Sequence, residues 1–326
     1  MSVLVTGAAG FVGSHLTETL VREGHHVRAL VRYTSRGTAG WLDVVDRHVA
    51  AQIEILKGDV RDAQAVRRAA AGTTRIYHLA ALIGIPYSYE SPDAYIGTNI
   101  IGTANVLDAA RDLGDKLERV VHTSTSECYG TALSVPIDET HPLQAQSPYA
   151  ATKIAADKLV ESYHRSFGLR VVTLRPFNTY GPRQSTRAVV PTIITQVLSS
   201  PRVRLGNTWT TRDFNYVDDT VRGFLLAGSA PAVDGRVINV GSGREVSIDQ
   251  LVTVIGRMLG REAVVETDSA RVRPPASEVE RLIADTTLAR NLLGWTPQIS
   301  LEEGLQRTIV WIRDHQDEFR VAGYHV

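Results

Sequence analysis

Cysteine is almost missing from this chain: Cys128 stands alone among 326 residues. A single thiol excludes an internal disulfide and suits a reducing compartment, so a cytoplasmic setting is expected. Excess charge of either sign is missing too, with 35 Lys and Arg against 35 Asp and Glu. Without a net field, neither nucleic acid nor an anionic membrane is an expected partner. No apolar run is long enough to span a bilayer, and the N-terminus reads as a core strand rather than a signal peptide. The ten histidines carry no HExxH and no Cys/His ligand spacing. His25-His26 reads as a solvated loop pair, and no metal is expected. Internal repeats and low-complexity segments are also absent from the sequence.

What is present starts at the third residue. Val3, Leu4 and Val5 form a short apolar run, as for a strand covered on both faces. Thr6-Gly7-Ala8-Ala9-Gly10-Phe11-Val12-Gly13 then reads as a turn opening a helix that runs to about Arg22, with Gly24 placed to stop it. Gly7 permits the tight turn, Gly10 lets backbone approach a ligand, and Gly13 lets helix and strand sit close. The helix N-terminus aims unpaired N–H groups at whatever lies above, and a pyrophosphate is the natural occupant. A merely structural turn is the plain alternative.

Strands are predicted at Val27–Val31, Ile53–Lys57, Arg75–Leu79 and Arg119–Ser124, with a long helix over Pro92–Arg111. Strands alternating with helices imply an α/β fold, a Rossmann-type doubly wound parallel sheet with right-handed crossovers. Ligands then sit at the strands' carboxyl ends. The second strand ends at Val31-Arg32, followed by Tyr33, Thr34, Ser35 and Arg36, where an acidic residue would select a free ribose 2′-hydroxyl. With no carboxylate there, Arg32 can meet a 2′-phosphate, which tilts the cofactor toward NADP over NAD; Arg32 as a solvated strand end is the alternative. Asp59, beside Val60, can accept from the adenine amino group or cap the helix beginning near Ala63. Leu79-Ala80-Ala81 offers small residues over which a cofactor can lie.

Length allows roughly two domains. The boundary falls near Gly181: residues 1–181 form the nucleotide-binding part, and 182–326 mainly a smaller C-terminal substrate-binding lobe. The latter carries loops at Ser199–Arg212 and Ala270–Ser277. Strands near Arg170–Arg175 and Val237–Val240 are expected to return to the main sheet, with returning segments near 213–240.

Ser147-Pro148-Tyr149-Ala150-Ala151-Thr152-Lys153 is the second informative stretch. Ser147 suits an N-cap and Pro148 the first helical position. Tyr149 and Lys153 are then one turn apart on one face. A phenol ionises near pH 10, and a neighbouring ammonium lowers that value, making Tyr149 a general-base candidate. The alternative is an ordinary exposed Tyr/Lys pair.

Together with His78-Leu79-Ala80-Ala81, Thr123-Ser124-Thr125-Ser126-Glu127-Cys128-Tyr129-Gly130, Arg175-Pro176-Phe177-Asn178-Thr179-Tyr180-Gly181-Pro182 and Arg212-Asp213-Phe214-Asn215-Tyr216-Val217-Asp218-Asp219, these stretches resemble the extended short-chain dehydrogenase/reductase family. The likeness is to its NAD(P)-dependent nucleotide-sugar epimerase/dehydratase branch, and it spans nearly the whole chain. The resemblance implies that Tyr149 takes the proton from the sugar 4-hydroxyl as hydride leaves C4, with Thr125 bonding that oxygen and Lys153 holding the nicotinamide ribose. Gly7, Gly10, Phe11, Val12, Gly13, Arg32, Asp59, Val60, Leu79, Ala80, Ala81, Tyr149, Lys153 and Pro176 are the expected cofactor surface. Asn178, Arg212 and Arg273 are expected on the sugar diphosphate, for which bidentate guanidinium groups are suited; a turn cap and surface charge are the plain alternatives.

Thr125-Ser126-Glu127 looks like the triplet of GDP-mannose 4,6-dehydratases. In that reading Glu127 removes the C5 proton, Ser126 assists loss of the C6 hydroxyl, and hydride returns to C6. Nucleotide-uronate decarboxylases resemble the triplet too, whereas 4-epimerases usually carry small or neutral residues at Glu127. Val27 to Arg32 and the loop around Trp41-Leu42 look more like GDP-sugar and nonulosonate-pathway dehydratases than deoxythymidine-linked ones. A 4,6-dehydratase is therefore the leading expectation. Uronate decarboxylase and 4-epimerase follow, and a non-catalytic NAD(P)-binding protein comes last. A homodimer through the helices from Pro92 and Tyr149 is implied by the same resemblance.

Overall fold

The computed structural model describes residues 1–33 and 37–319. Thr34, Ser35 and Arg36, named above beside the second strand, lie outside the described residues. Thirteen strands are found among the described residues. β1 (Ser2–Thr6), β2 (His26–Val31), β3 (Ile53–Lys57), β4 (Arg75–His78), β5 (Arg119–Thr123) and β6 (Val171–Pro176) come first. β7 (Asn178–Tyr180), β8 (Arg202–Leu205), β9 (Thr211–Arg212) and β10 (Phe214–Tyr216) follow. β11 (Val237–Val240), β12 (Val246–Ser247) and β13 (Val264–Thr267) complete the set. Seven of them form one parallel sheet in the order β11-β6-β5-β4-β1-β2-β3. The order reverses between β1 and β4, and in sheets of this kind ligands bind at that switch point, beyond the strands' carboxyl ends.

The sheet's two faces divide the apolar residues by strand alternation. Val3 and Val5 join one core with Leu16, Leu20 and Leu174, whereas Leu4 joins the other with Val66, Ile76, Val106 and Val120. The helix Val217–Ser229 crosses the first face at close range. A Cβ on Gly228 would stand 2.3 Å from the Tyr77 hydroxyl, so only glycine admits this approach. The chain thus returns to the main sheet after leaving it, through this helix and then β11, which pairs with β6. Residues 214–216 do not return to it, because β10 pairs with β7.

Two expectations are corrected. The segment Pro92–Arg111 is not one regular α-helix: Pro92–Tyr95 and Gly102–Asp112 flank a π-helical stretch, Ile96–Ile101. The wider turn places Asn99 to bond both ways with Leu82, at 2.8 and 3.0 Å, and to donate to Thr152 Oγ1 at 3.0 Å. Ser199–Arg212 is not a plain loop, since it contains β8 and β9. β8 pairs with β13 in the smaller lobe, beside the helices Val189–Ser199 and Ile248–Met258.

Candidate active site

The glycine turn at the switch point is built for close approach. Gly7 has φ +70°, and a Cβ there would lie 2.7 Å from Ala80 N. A Cβ on Gly13 would lie 2.2 Å from Gly7 O. Gly10 differs: its Cβ would meet only Gly7 O, at 3.2 Å, with open space beyond. The helix Phe11–Arg22 has no side-chain cap and no acidic residue in its first turn. The N–H groups of Phe11, Val12 and Gly13 therefore keep their capacity for an anion. This cradle fits the pyrophosphate of a dinucleotide, with Val60, Leu79, Ala80, Ala81 and Pro176 along the neighbouring strand ends.

Beyond β3, Asp59 does not cap the helix Ala63–Ala70; Asp62 does, accepting from Gln64 N at 2.9 Å and Ala65 N at 3.2 Å. Asp59 instead holds the Arg61 guanidinium at 2.7 Å, and this bond keeps its carboxyl below the usual range. Arg32 is exposed nearby.

Ser147 caps the helix Pro148–Phe167 by accepting from Ala150 N at 3.1 Å, and Pro148 opens it. Tyr149 is thereby buried, edge-on to Tyr95 with centroids 6.3 Å apart, and hydrogen-bonded by Thr125. Burial pushes the phenol well above its ordinary value, and the Thr125 bond opposes that shift. The downward pull expected from Lys153 is not what these side chains show. Lys153 is buried, which lowers it, and its Nζ donates to Thr123 O at 2.6 Å. Asp157, one turn further on, favours the charged ammonium. Asp157 is itself fixed by Arg175 at 2.6 Å, Ser124 at 2.6 Å and His122 at 3.2 Å.

Glu127 lies half-buried in the short turn Ser126–Tyr129, which Thr125 caps by accepting from Glu127 N at 3.3 Å. Its charge acts on two groups, raising Tyr149 further and favouring the charged form of Arg212. Ser126 is buried beside it. Cys128 is an enclosed filler whose thiol burial pushes up to about 12.

Arg212 and Arg273 do converge, and they do so on a residue that motif reading missed. Glu278 Oε1 stands 3.6 Å from Arg212 and 3.8 Å from Arg273, and Asn207 donates to Oε2 at 3.0 Å. Arg212 is buried, and Asp213 beside it locks the strand by accepting from Ser242, Gly243 and Ala284. Asn178 Oδ1 and Arg273 Nη1 are buried without a hydrogen-bond partner. Unsatisfied groups of this kind call for a polar ligand. The spacing that could have revealed Glu278 is its place in the same strap as Arg273, five residues on.

A profile of the GDP-mannose 4,6-dehydratase family matches residues 4–308. The chain belongs to this family. Its fold is that of the extended short-chain dehydrogenase/reductases, and it is an enzyme of the nucleotide-sugar dehydratase/epimerase group. Among curated relatives, a UDP-glucose 4-epimerase of Mycolicibacterium smegmatis is 36% identical over 321 residues, covering 96% of this chain and 99% of the relative. A dTDP-glucose 4,6-dehydratase of Streptomyces griseus is 35% identical over 323 residues, covering 96% and 94%. Among solved structures, a double mutant of the dTDP-glucose 4,6-dehydratase DesIV from Streptomyces venezuelae, with NAD bound, superposes with a TM-score of 0.84 at 31% identity, covering 98% of each chain.

Proposed function

We propose that this family member is a nucleotide-sugar 4,6-dehydratase. The observation that carries the reading is Glu127, a half-buried carboxylate next to Thr125 whose charge acts on both the Tyr149 phenol and the Arg212 guanidinium. A bound nicotinamide supplies the hydride acceptor that opens the reaction at C4 and the hydride donor that closes it at C6. Tyr149, bonded to Thr125, takes the proton of the C4 hydroxyl, and Lys153, whose charged form Asp157 favours, holds the nicotinamide ribose. The C4 ketone acidifies C5. Glu127 removes that proton, Ser126 donates to the departing C6 hydroxyl, which leaves as water, and the protonated Glu127 returns its proton to C5 as hydride reaches C6. Arg212, Arg273 and Asn178 bind the diphosphate, with Glu278 yielding part of its hold on the arginines.

NAD(P) is the cofactor class. Arg32 supports use of NADP, because it stands exposed at the end of β2 where a ribose 2′-phosphate would lie. A homodimer is proposed through the helices from Pro92 and Pro148, since Ile96 and Ile101 are 45% and 49% exposed; a monomer by light scattering at micromolar concentration would contradict it. No helix among the described residues is long and apolar enough to cross a membrane. The cytoplasm remains the proposed setting.

C4 epimerisation is the second reading, favoured by the M. smegmatis relative. Incubation with UDP-, dTDP- and GDP-sugars followed by mass spectrometry separates the reactions. Loss of water supports the dehydratase. Loss of carbon dioxide shows a uronate decarboxylase, and an isobaric product shows the epimerase.

A further inference from the structure

Arg183 sits in the loop between β7 and the helix Val189–Ser199, and its backbone is left-handed at φ +67°. Such a conformation is rare for a residue with a side chain and persists only where surroundings hold it. The Arg183 guanidinium is tied to the helix Phe11–Arg22. Arg183 is 9% exposed, and Nη2 donates to Glu18 Oε2 at 2.8 Å. Nη1 lies 3.4 Å from Ser14 Oγ, which bonds back to Phe11 O at 3.0 Å in the first turn of the pyrophosphate helix. His15 of the same helix adds a second tie, with Nε2 3.0 Å from Pro182 O. Burial and the neighbouring Arg183 charge lower His15 to about 4, so the ring is neutral at working pH and Nε2–H donates. On the other side, Gln184 Nε2 donates to Thr179 O at 2.8 Å, fastening the loop to β7 beside Asn178. An unbroken set of contacts therefore joins the cofactor cradle to the strand that carries Asn178. Glu18 also takes Arg22, from the same helix, through Oε1 at 2.6 Å, so its buried carboxylate is held on both oxygens.

We propose that Arg183 is a positioning residue that couples the two halves of the site. The Arg183–Glu18 pair holds the Asn178 segment against the pyrophosphate helix, so that filling one half strengthens binding in the other. This rests on the reading above, in which dinucleotide and sugar diphosphate occupy those halves.

The test is calorimetric titration of NAD into the full-length protein, alone and with saturating UDP, dTDP or GDP, whichever binds most tightly. Wild type is expected to bind NAD about ten-fold more tightly with the diphosphate present, within the usual range of coupling between sites. In R183M and E18Q that ratio is expected to fall to within about two-fold of unity, and R183K is expected to retain an intermediate value. An unchanged ratio in R183M and E18Q overturns the proposal, however far thermal stability drops, because a merely structural tie lowers stability without moving the ratio. If one of the two fails to fold, the other decides. A wild-type ratio of one also overturns it. NADP replaces NAD as titrant if it alone binds, and failure of both nucleotides, or of every diphosphate, to bind at all overturns the underlying functional reading instead.

Discussion

Replacing Glu127 by Gln tests the chemistry at its decisive atom. The side-chain volume is kept, and the Thr125 cap uses the Glu127 backbone N–H, so the short turn should stand. Glu127 makes no side-chain hydrogen bond among the described residues, so the cost to folding should stay within about 0.5 kcal/mol. What is lost is the base. General-base contributions run about 10²–10⁴-fold, or ~3–5 kcal/mol of barrier. Tyr149, Thr125 and Lys153 are untouched, so oxidation at C4 should continue. The assay is a single turnover with the accepted nucleotide sugar, following reduced nicotinamide by absorbance and water loss by mass spectrometry. Reduced nicotinamide should accumulate while the keto-deoxy product forms at least about 10²-fold more slowly. Product at the wild-type rate would remove Glu127 from its role. Loss of the absorbance signal as well would show that Glu127 serves the first step.

Tyr149→Phe should lose both oxidation and water loss by about 10²–10⁴-fold, measured in the same assay. Gly10→Ala should fold normally yet bind NAD at least about ten-fold more weakly, because its methyl enters open space that the pyrophosphate needs; Gly13→Ala, 2.2 Å from Gly7 O, should fail in thermal melts as well. The folded His15 titrates at about 4 and an unfolded one near 6.5, so between those values the unfolded chain binds more protons. Stability is therefore full above pH ~6.5 and falls as pH drops toward 4, by up to ~3 kcal/mol from this residue; melting of His15→Gln across that window should show a shallower decline. Arg32→Ala should weaken NADP about ten-fold and leave NAD within about two-fold, read by parallel titrations.

Much of the fold was legible because its signals are local. The apolar run Val3–Val5, the glycine turn and the Ser147-Pro148 cap each specify their own conformation, and β3 and β11 fall where patterning puts them. β8 was missed although Arg202, Val203, Arg204 and Leu205 alternate exposed and buried; four residues are too short a period to stand out in an Arg-rich stretch. The π-helical turn at Ile96–Ile101 answers to Asn99, whose partners Leu82 and Thr152 are distant in sequence. Tyr149 and Lys153 were legible as a pair. Their environment was not, because burial and the Thr123 carbonyl are properties of the packed state. Glu278 and the Arg183–Glu18 tie escaped for the same reason: neither belongs to a motif, and each gains meaning only from a partner on another element.

The seventh strand of the sheet is made late. β6 ends at Pro176 and its edge partner β11 begins at Val237, so about sixty residues, part of the smaller lobe and the helix Val217–Ser229, are synthesised in between. Until then the β6 backbone is an open template, the kind of edge that recruits other chains. A fragment stopping near Gly181 would keep that edge permanently, and should be recovered as aggregate rather than as a free-standing nucleotide-binding unit.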